Sequence, residues 1–200
     1  KGNGYSSDVL AGISWVLERK EQLGIRILNI SVGACSKRGM SENSALVKGV
    51  NRAWDAGLVV VVAAGNNGPR TMSITTPGIS RKVITVGCSD DDREVLVGGN
   101  RMVDYSGRGP TAACICKPDL VAPGCSVVSC SSRADKYTIK SGTSMSTPIV
   151  SGAVALLLER FPDMSNKDVK LRLRESSVDI GLPRNQQGWG MLNVEKMIGK

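Results

Sequence analysis

Residues 141–158, SGTSMSTPIVSGAVALLL, constrain the chain most, because they join a tight polar turn to the most continuously apolar helix candidate in the sequence. Gly142 lets the backbone turn sharply, and Thr143 and Ser144 stand where a helix begins. Ile149, Val150, Ala153, Val154, Leu156, Leu157 and Leu158 follow with hardly any polar face, which predicts a buried helix rather than an amphipathic one. Pro148 is expected in the first turn, where its missing N–H costs least. Ser144 is then held at the positive end of a helix dipole, where developing negative charge is stabilised.

The other apolar runs say what this helix packs on. LVVVVAAGNNGP at 58–69, IRILNIS at 25–31 and KVITVGC at 82–88 are short and rich in branched residues, the pattern of buried parallel strands. Between the first two of these, residues 44–56 carry Leu46, Val50, Ala53 and Trp54 on one helical face, giving a right-handed βαβ unit. Another helix is predicted over 7–20, and a hairpin over 95–106 turns around Gly98, Gly99 and Asn100. Short strands follow at 118–123 and 126–130, then an extended stretch at 137–140. SNKD at 165–168 is a capping box for a helix to about 177, and Asn193 precedes a last short helix. With 23 glycines and 4% aromatics, the core must be built from Val, Ile, Leu and Ala. The expected fold is α/β, a three-layer αβα arrangement on a mainly parallel sheet, with residues 1–200 in one domain.

Charge and cysteines narrow the function classes. The formal charge of +8 invites a nucleic-acid reading, but the densest basic set, Lys167, Lys170, Arg172 and Arg174, lies on one predicted helix without an aromatic platform. A solvated helix face accounts for it. No apolar stretch is long enough to span a bilayer, so neither nucleic acid nor membrane is an expected partner. Asp90, Asp91 and Asp92 lack the alternating ligands and glycine of a calcium loop and read as an exposed turn. The six cysteines are expected as free thiols. Without histidine, and with only a CxC at Cys114 and Cys116, no metal site is predicted.

The string GTSMSTP, followed by VSGAVALLL, closely resembles the nucleophile motif of the subtilisin-like serine proteases (subtilases, peptidase family S8). The likeness runs through SSDVLAGISWV, LNISVG, VVVVAAGNNGP, TPGI, VITVG, YSGRGP, PDLVAPG and GWGMLNV, nearly the whole chain. It implies that Ser144 is the nucleophile of a serine-type endopeptidase and that Asn66 is its oxyanion donor. Asn66 also ends the best predicted strand, at the side of a parallel sheet where ligands gather. The resemblance further places Ser31, Val32 and Gly33 beside a bound polypeptide substrate. Ala63, Ala64 and Gly65 fall on the opposite wall of the pocket for the residue before the scissile bond, and Thr75 at its base. These small residues admit an apolar side chain. A cis bond before Pro77 is implied as well.

One requirement is unmet. A serine hydroxyl needs a base, which in this family is a histidine oriented by an aspartate, and the chain contains no histidine. The family order puts both missing groups upstream of Lys1. The expectation is therefore a partial domain, the C-terminal portion of a catalytic domain, inactive by itself. Its partners would be the missing N-terminal part and, through the strand edge at 27–31 left bare, other copies of itself. No cofactor is expected here, and any calcium of the full-length enzyme belongs to upstream loops. Two other readings stand beside this one. A serine-carboxyl peptidase would explain the absent histidine but puts aspartate where Asn66 stands. A peptide-binding pseudoprotease would have no need of the undisturbed GTSMSTP. The resemblance implies secretion, while the cysteines fit an intracellular enzyme.

Overall fold

The computed structural model describes residues 4–34, 42–132 and 136–199. Helix α1 (Ser6–Leu23) leads into strand β1 (Ile27–Ile30), helix α2 (Ala45–Asp55), strand β2 (Val59–Ala63) and strand β3 (Ile84–Cys88). A hairpin of β4 (Val95–Val97) and β5 (Asn100–Met102) precedes β6 (Leu120–Ala122), and a second hairpin pairs β7 (Val127–Cys130) with β8 (Tyr137–Lys140). Helices α3 (Thr143–Arg160), α4 (Asn166–Ser176), α5 (Arg184–Gln187) and α6 (Val194–Ile198) complete the chain.

The central sheet has the order β1-β2-β3-β6 and is parallel throughout. Every residue of β2 and β3 is buried, so both faces are covered, as their unbroken branched runs require. Helix α3 packs along all four strands, while α1 packs on α2 and α2 on β2. The architecture is the expected α/β one, and its helix starts are set by side chains. Ser44 caps α2 by accepting from Val47 N at 3.3 Å. Ser165 and Asp168 form the capping box of α4, and Asn193 Oδ1 accepts from Lys196 N at 2.8 Å to start α6.

The two flanks of the sheet differ. Among the described residues nothing pairs with the outer side of β1. Beyond β6, Val121 N donates to Gly190 O at 3.0 Å and Leu192 N to Val121 O at 2.9 Å, so the 190–192 strip seals that side. Gly190 fits there because its φ is 125° and a Cβ would stand 2.2 Å from Val178 O.

Several expectations are corrected. Helix α3 is not buried all round: Pro148, Gly152, Ala155 and Leu156 form an exposed stripe, with Leu156 49% accessible. Pro148 is its sixth residue, beyond the first turn, where its missing N–H is the one that would bond Ser144 C=O. The hairpin turn is Gly98–Gly99 alone, since Asn100 already pairs with Val97. Asp90 and Asp91 are not an exposed turn. Asp91 is buried and accepts from Ser106 N at 2.7 Å, while Asp90 Oδ1 accepts from Gly124 N at 2.8 Å and Cys125 N at 3.1 Å. Nor are Lys170 and Arg172 merely solvated. Lys170 Nζ donates to the carbonyls of Arg81, Lys82 and Val83, and Arg172 to those of Met197 and Gly199. Cys88, Cys114, Cys116, Cys125 and Cys130 are free; Cys35 lies outside the described residues. No helix among the described residues is long and apolar enough to cross a membrane.

Candidate active site

The carboxyl ends of β1 and β2 and the first turn of α3 meet at one place, and the sequence-predicted residues gather there. Gly142, with φ 139°, caps α3 in a conformation that L side chains rarely adopt. The next residue fixes the helix start to the strand end. Thr143 N and Thr143 Oγ1 each donate to Asn66 Oδ1 at 3.0 Å, and Gly65 N donates to Thr143 Oγ1 at 3.2 Å. A backbone N–H can only donate, so the atom facing Thr143 is the carboxamide oxygen, and the Asn66 Nδ2 end is left as the donor. That Nδ2 lies 3.2 Å from where a Cβ on Gly142 would be, one residue from the helix start.

Ser144 is half-buried at the second position of α3, and its Oγ donates to Ser31 O at 2.9 Å, just past the end of β1. The geometry thus brings Asn66 and Ser144 to one end of the sheet, under the α3 dipole. A short polar chain runs on from Ser31. Asn29 Nδ2 donates to Ser31 Oγ at 2.9 Å, and Ser151 Oγ donates to Asn29 Oδ1 at 2.8 Å.

The predicted groove residues fall into two groups. Val32 and Gly33 are exposed, and Ser31 and Gly65 are half-buried. Thr75 stands between the two glycines: a Cβ on Gly33 would lie 2.3 Å from Thr75 Oγ1, and one on Gly65 2.4 Å from Thr75 Cγ2. Thr75 is itself held by Ala64 O, which accepts from Thr75 N at 2.8 Å and Thr75 Oγ1 at 3.3 Å. The side chains of Ala63 and Ala64 are buried behind this slot, Ala64 against Val47, Ile74 and Ile79. The Thr76–Pro77 bond is cis, as the resemblance implied.

Sequence reasoning passed over Thr143, which is the link between the two site residues. The signal was in the GTS string, where a hydroxyl at the first helical position can reach a neighbouring loop. Among the described residues no group of three or more acidic, Cys or His side chains could hold a metal.

A serine at the start of a helix beside a carboxamide held at the end of a parallel strand is an arrangement in which a hydroxyl nucleophile and an oxyanion donor can face one carbonyl, and no histidine stands among these residues to serve as its base. The chain belongs to the subtilase family, whose Peptidase_S8 signature matches residues 1–190. Among its relatives, serine protease AprX of Bacillus subtilis (strain 168) is 37% identical over 217 residues, covering 99% of this chain and 49% of AprX. Subtilisin DY of Bacillus licheniformis is 34% identical, over 97% of this chain and 63% of its own length. Of solved structures, Sphericase superposes with a TM-score of 0.78 at 31% identity, covering 96% of this chain and 65% of that one. The S41 psychrophilic protease gives 0.75 at 28% identity, with coverages of 97% and 65%. The chain therefore spans 49% to 63% of the curated relatives named here.

Proposed function

We propose that the protein is a serine-type endopeptidase with Ser144 as nucleophile, and that these 200 residues are the nucleophile-bearing part of its catalytic domain. The observation that carries this reading is the pair of bonds from Thr143 to Asn66 Oδ1, which tie a carboxamide donor to the serine-bearing turn across 77 positions. In it, Ser144 Oγ attacks the peptide carbonyl, and the oxyanion is met by Asn66 Nδ2 and the Ser144 N–H. The base outside these residues takes the Oγ proton and hands it to the leaving amine as the C–N bond breaks, and water then hydrolyses the acyl-enzyme to release the acid and free Ser144.

The base and its orienting aspartate belong to a part of the protein outside these residues, since none of the 200 is histidine. The hydrogen bond from Ser144 Oγ to the Ser31 carbonyl supports inertness of this part alone, because an amide oxygen does not take up a proton at neutral pH. The free side of β1 is assigned to the missing part, and in its absence to self-association. The substrate is an extended polypeptide running beside Ser31, Val32 and Gly33, held by main-chain bonds. With Thr75 filling the space between Gly33 and Gly65, the residue before the scissile bond is small and apolar.

An active-site phosphonate and a fluorogenic peptide test this on the full-length protein and on the 200 residues separately. The full-length protein is expected to hydrolyse the peptide and to be labelled at Ser144, and the 200 residues alone to do neither. Rapid labelling of the isolated part, or none of the full-length protein, overturns the reading.

A further inference from the structure

Beneath the turn at Gly142 lie a buried hydroxyl, a buried thiol and a half-buried carboxylate that the chemistry above does not use. Tyr105 is fully buried, and its Oη donates to Gly124 O at 3.2 Å. The same carbonyl accepts from Gly142 N at 2.9 Å. On the other side of that peptide, Asp90 Oδ1 accepts from Gly124 N at 2.8 Å and from Cys125 N at 3.1 Å. Cys88 joins the two halves, with its Sγ 3.1 Å from Asp90 Oδ1 and 3.2 Å from Tyr105 Oη. The Gly124 peptide is thus gripped at its N–H by a carboxylate and at its C=O by a phenol, with a thiol bridging them.

We propose that Tyr105 and Cys88 are positioning residues for the nucleophile, acting through Gly124 to fix the turn at Gly142 from which α3 starts. The proposal rests on the peptidase reading and deepens it. Gly124 is closely packed against the turn, since a Cβ there would stand 2.2 Å from Ser146 Oγ and 3.0 Å from Gly142 O. A shift of its carbonyl therefore carries Gly142 with it, then Thr143, whose two bonds aim Asn66, then Ser144. Burial raises the thiol to about 12 and raises the phenol as well, so both hold their protons as donors across the neutral range. Displacements of about 1 Å in a reacting group cost up to roughly a hundredfold in rate, which makes a hydrogen bond two residues from the nucleophile kinetically visible.

The test uses the full-length protein carrying Tyr105→Phe, Cys88→Ala, Cys88→Ser or the Tyr105→Phe/Cys88→Ala pair. Steady-state kinetics on a fluorogenic peptide and hydrogen exchange at the Gly142 amide are the readouts. Tyr105→Phe is expected to lower kcat about tenfold with KM little changed and to speed Gly142 exchange. Cys88→Ala should act in the same direction, the pair should lose little beyond Tyr105→Phe alone, and Cys88→Ser should recover most of the rate. A lowered Tm with kcat and Gly142 exchange both unchanged overturns the proposal. Should the full-length protein hydrolyse no peptide, the peptidase reading has failed, and Gly142 exchange in Tyr105→Phe decides alone: faster supports the clamp, unchanged overturns it.

Discussion

Gly33 and Gly65 face each other across a single side chain, that of Thr75, at distances that leave no room for a Cβ on either. The three act as one unit. Gly33→Ala is expected to destabilise the protein by about 1–3 kcal/mol through overpacking, and Thr75→Gly in the same chain to restore most of that loss. In the full-length protein, Thr75→Gly alone should shift kcat/KM toward peptides with a larger apolar residue before the scissile bond. Unaltered preference would remove Thr75 from the substrate slot.

In the proposed mechanism the two ends of Asn66 have two duties, and Asn66→Asp separates them. The substitution keeps an oxygen for Thr143 N and Thr143 Oγ1 but replaces the donor with a carboxylate. In the full-length protein turnover should fall by about 10²–10³, the usual order for loss of one oxyanion-hole donor, while thermal stability stays close to that of the parent. Equal activity would show that the carboxamide N–H does not meet the oxyanion.

Lys117 gives the fold an unusual alkaline signature. It is fully buried, with Nζ donating to Val83 O and Thr85 Oγ1 at 3.0 Å and to Asp119 Oδ2 at 2.5 Å. Desolvation, offset in part by Asp119, pulls the ammonium down to about 8. A depressed folded value against ~10.4 in the unfolded chain means that the unfolded state binds more protons between them, so this group's contribution grows as pH rises through that window. Cys88, raised to about 12, works in the opposite sense, its contribution being lost as pH climbs past the unfolded thiol value of ~8.5. The difference between parent and Lys117→Met isolates the lysine. Urea unfolding from pH 7 to 10.5 should show the parent gaining on the variant by on the order of 3 kcal/mol, and parallel curves would refute the assignment.

Asn166, the first residue of α4, closes the carboxyl end of α2 by donating from Nδ2 to Trp54 O at 2.7 Å and Leu58 O at 3.1 Å. Asn166→Ala takes the side-chain donor from Leu58 O in a buried setting and leaves Trp54 O with its bond from Gly57 N alone, and is expected to cost about 1–2 kcal/mol in chemical denaturation, with no effect on KM.

Much of this was legible before any coordinates. The strands at β2 and β3 announce themselves because residues buried on both faces leave an unbroken branched run, and Ser165, Ser44 and Asn193 mark helix starts by local chemistry alone. Ser144 and Asn66 were readable because each stands in a short string whose neighbours are constrained too. What stayed hidden depends on partners remote in sequence. Three consecutive aspartates look solvated until Ser106 and Gly124 bring their amides to Asp91 and Asp90. Lys170 and Arg172 look like a wet helix face until the carbonyls at the start of β3 and around the end of α6 come within reach. The exposed stripe of α3 was missed for the converse reason: Gly152 and Ala155 are apolar yet too small for sequence pattern to reveal which way they point.

The sealing strip along β6 limits the size of any assembly the central sheet can nucleate. Sheets polymerise when a molecule offers two open rims, one to receive and one to template, whereas among the described residues the central sheet keeps a single open rim once residues 190–192 occupy the far side. In the self-association proposed above, two copies meeting rim to rim along β1 would consume each other's open front in the central sheet, and assembly through that sheet would close as a couple instead of extending into a fibre.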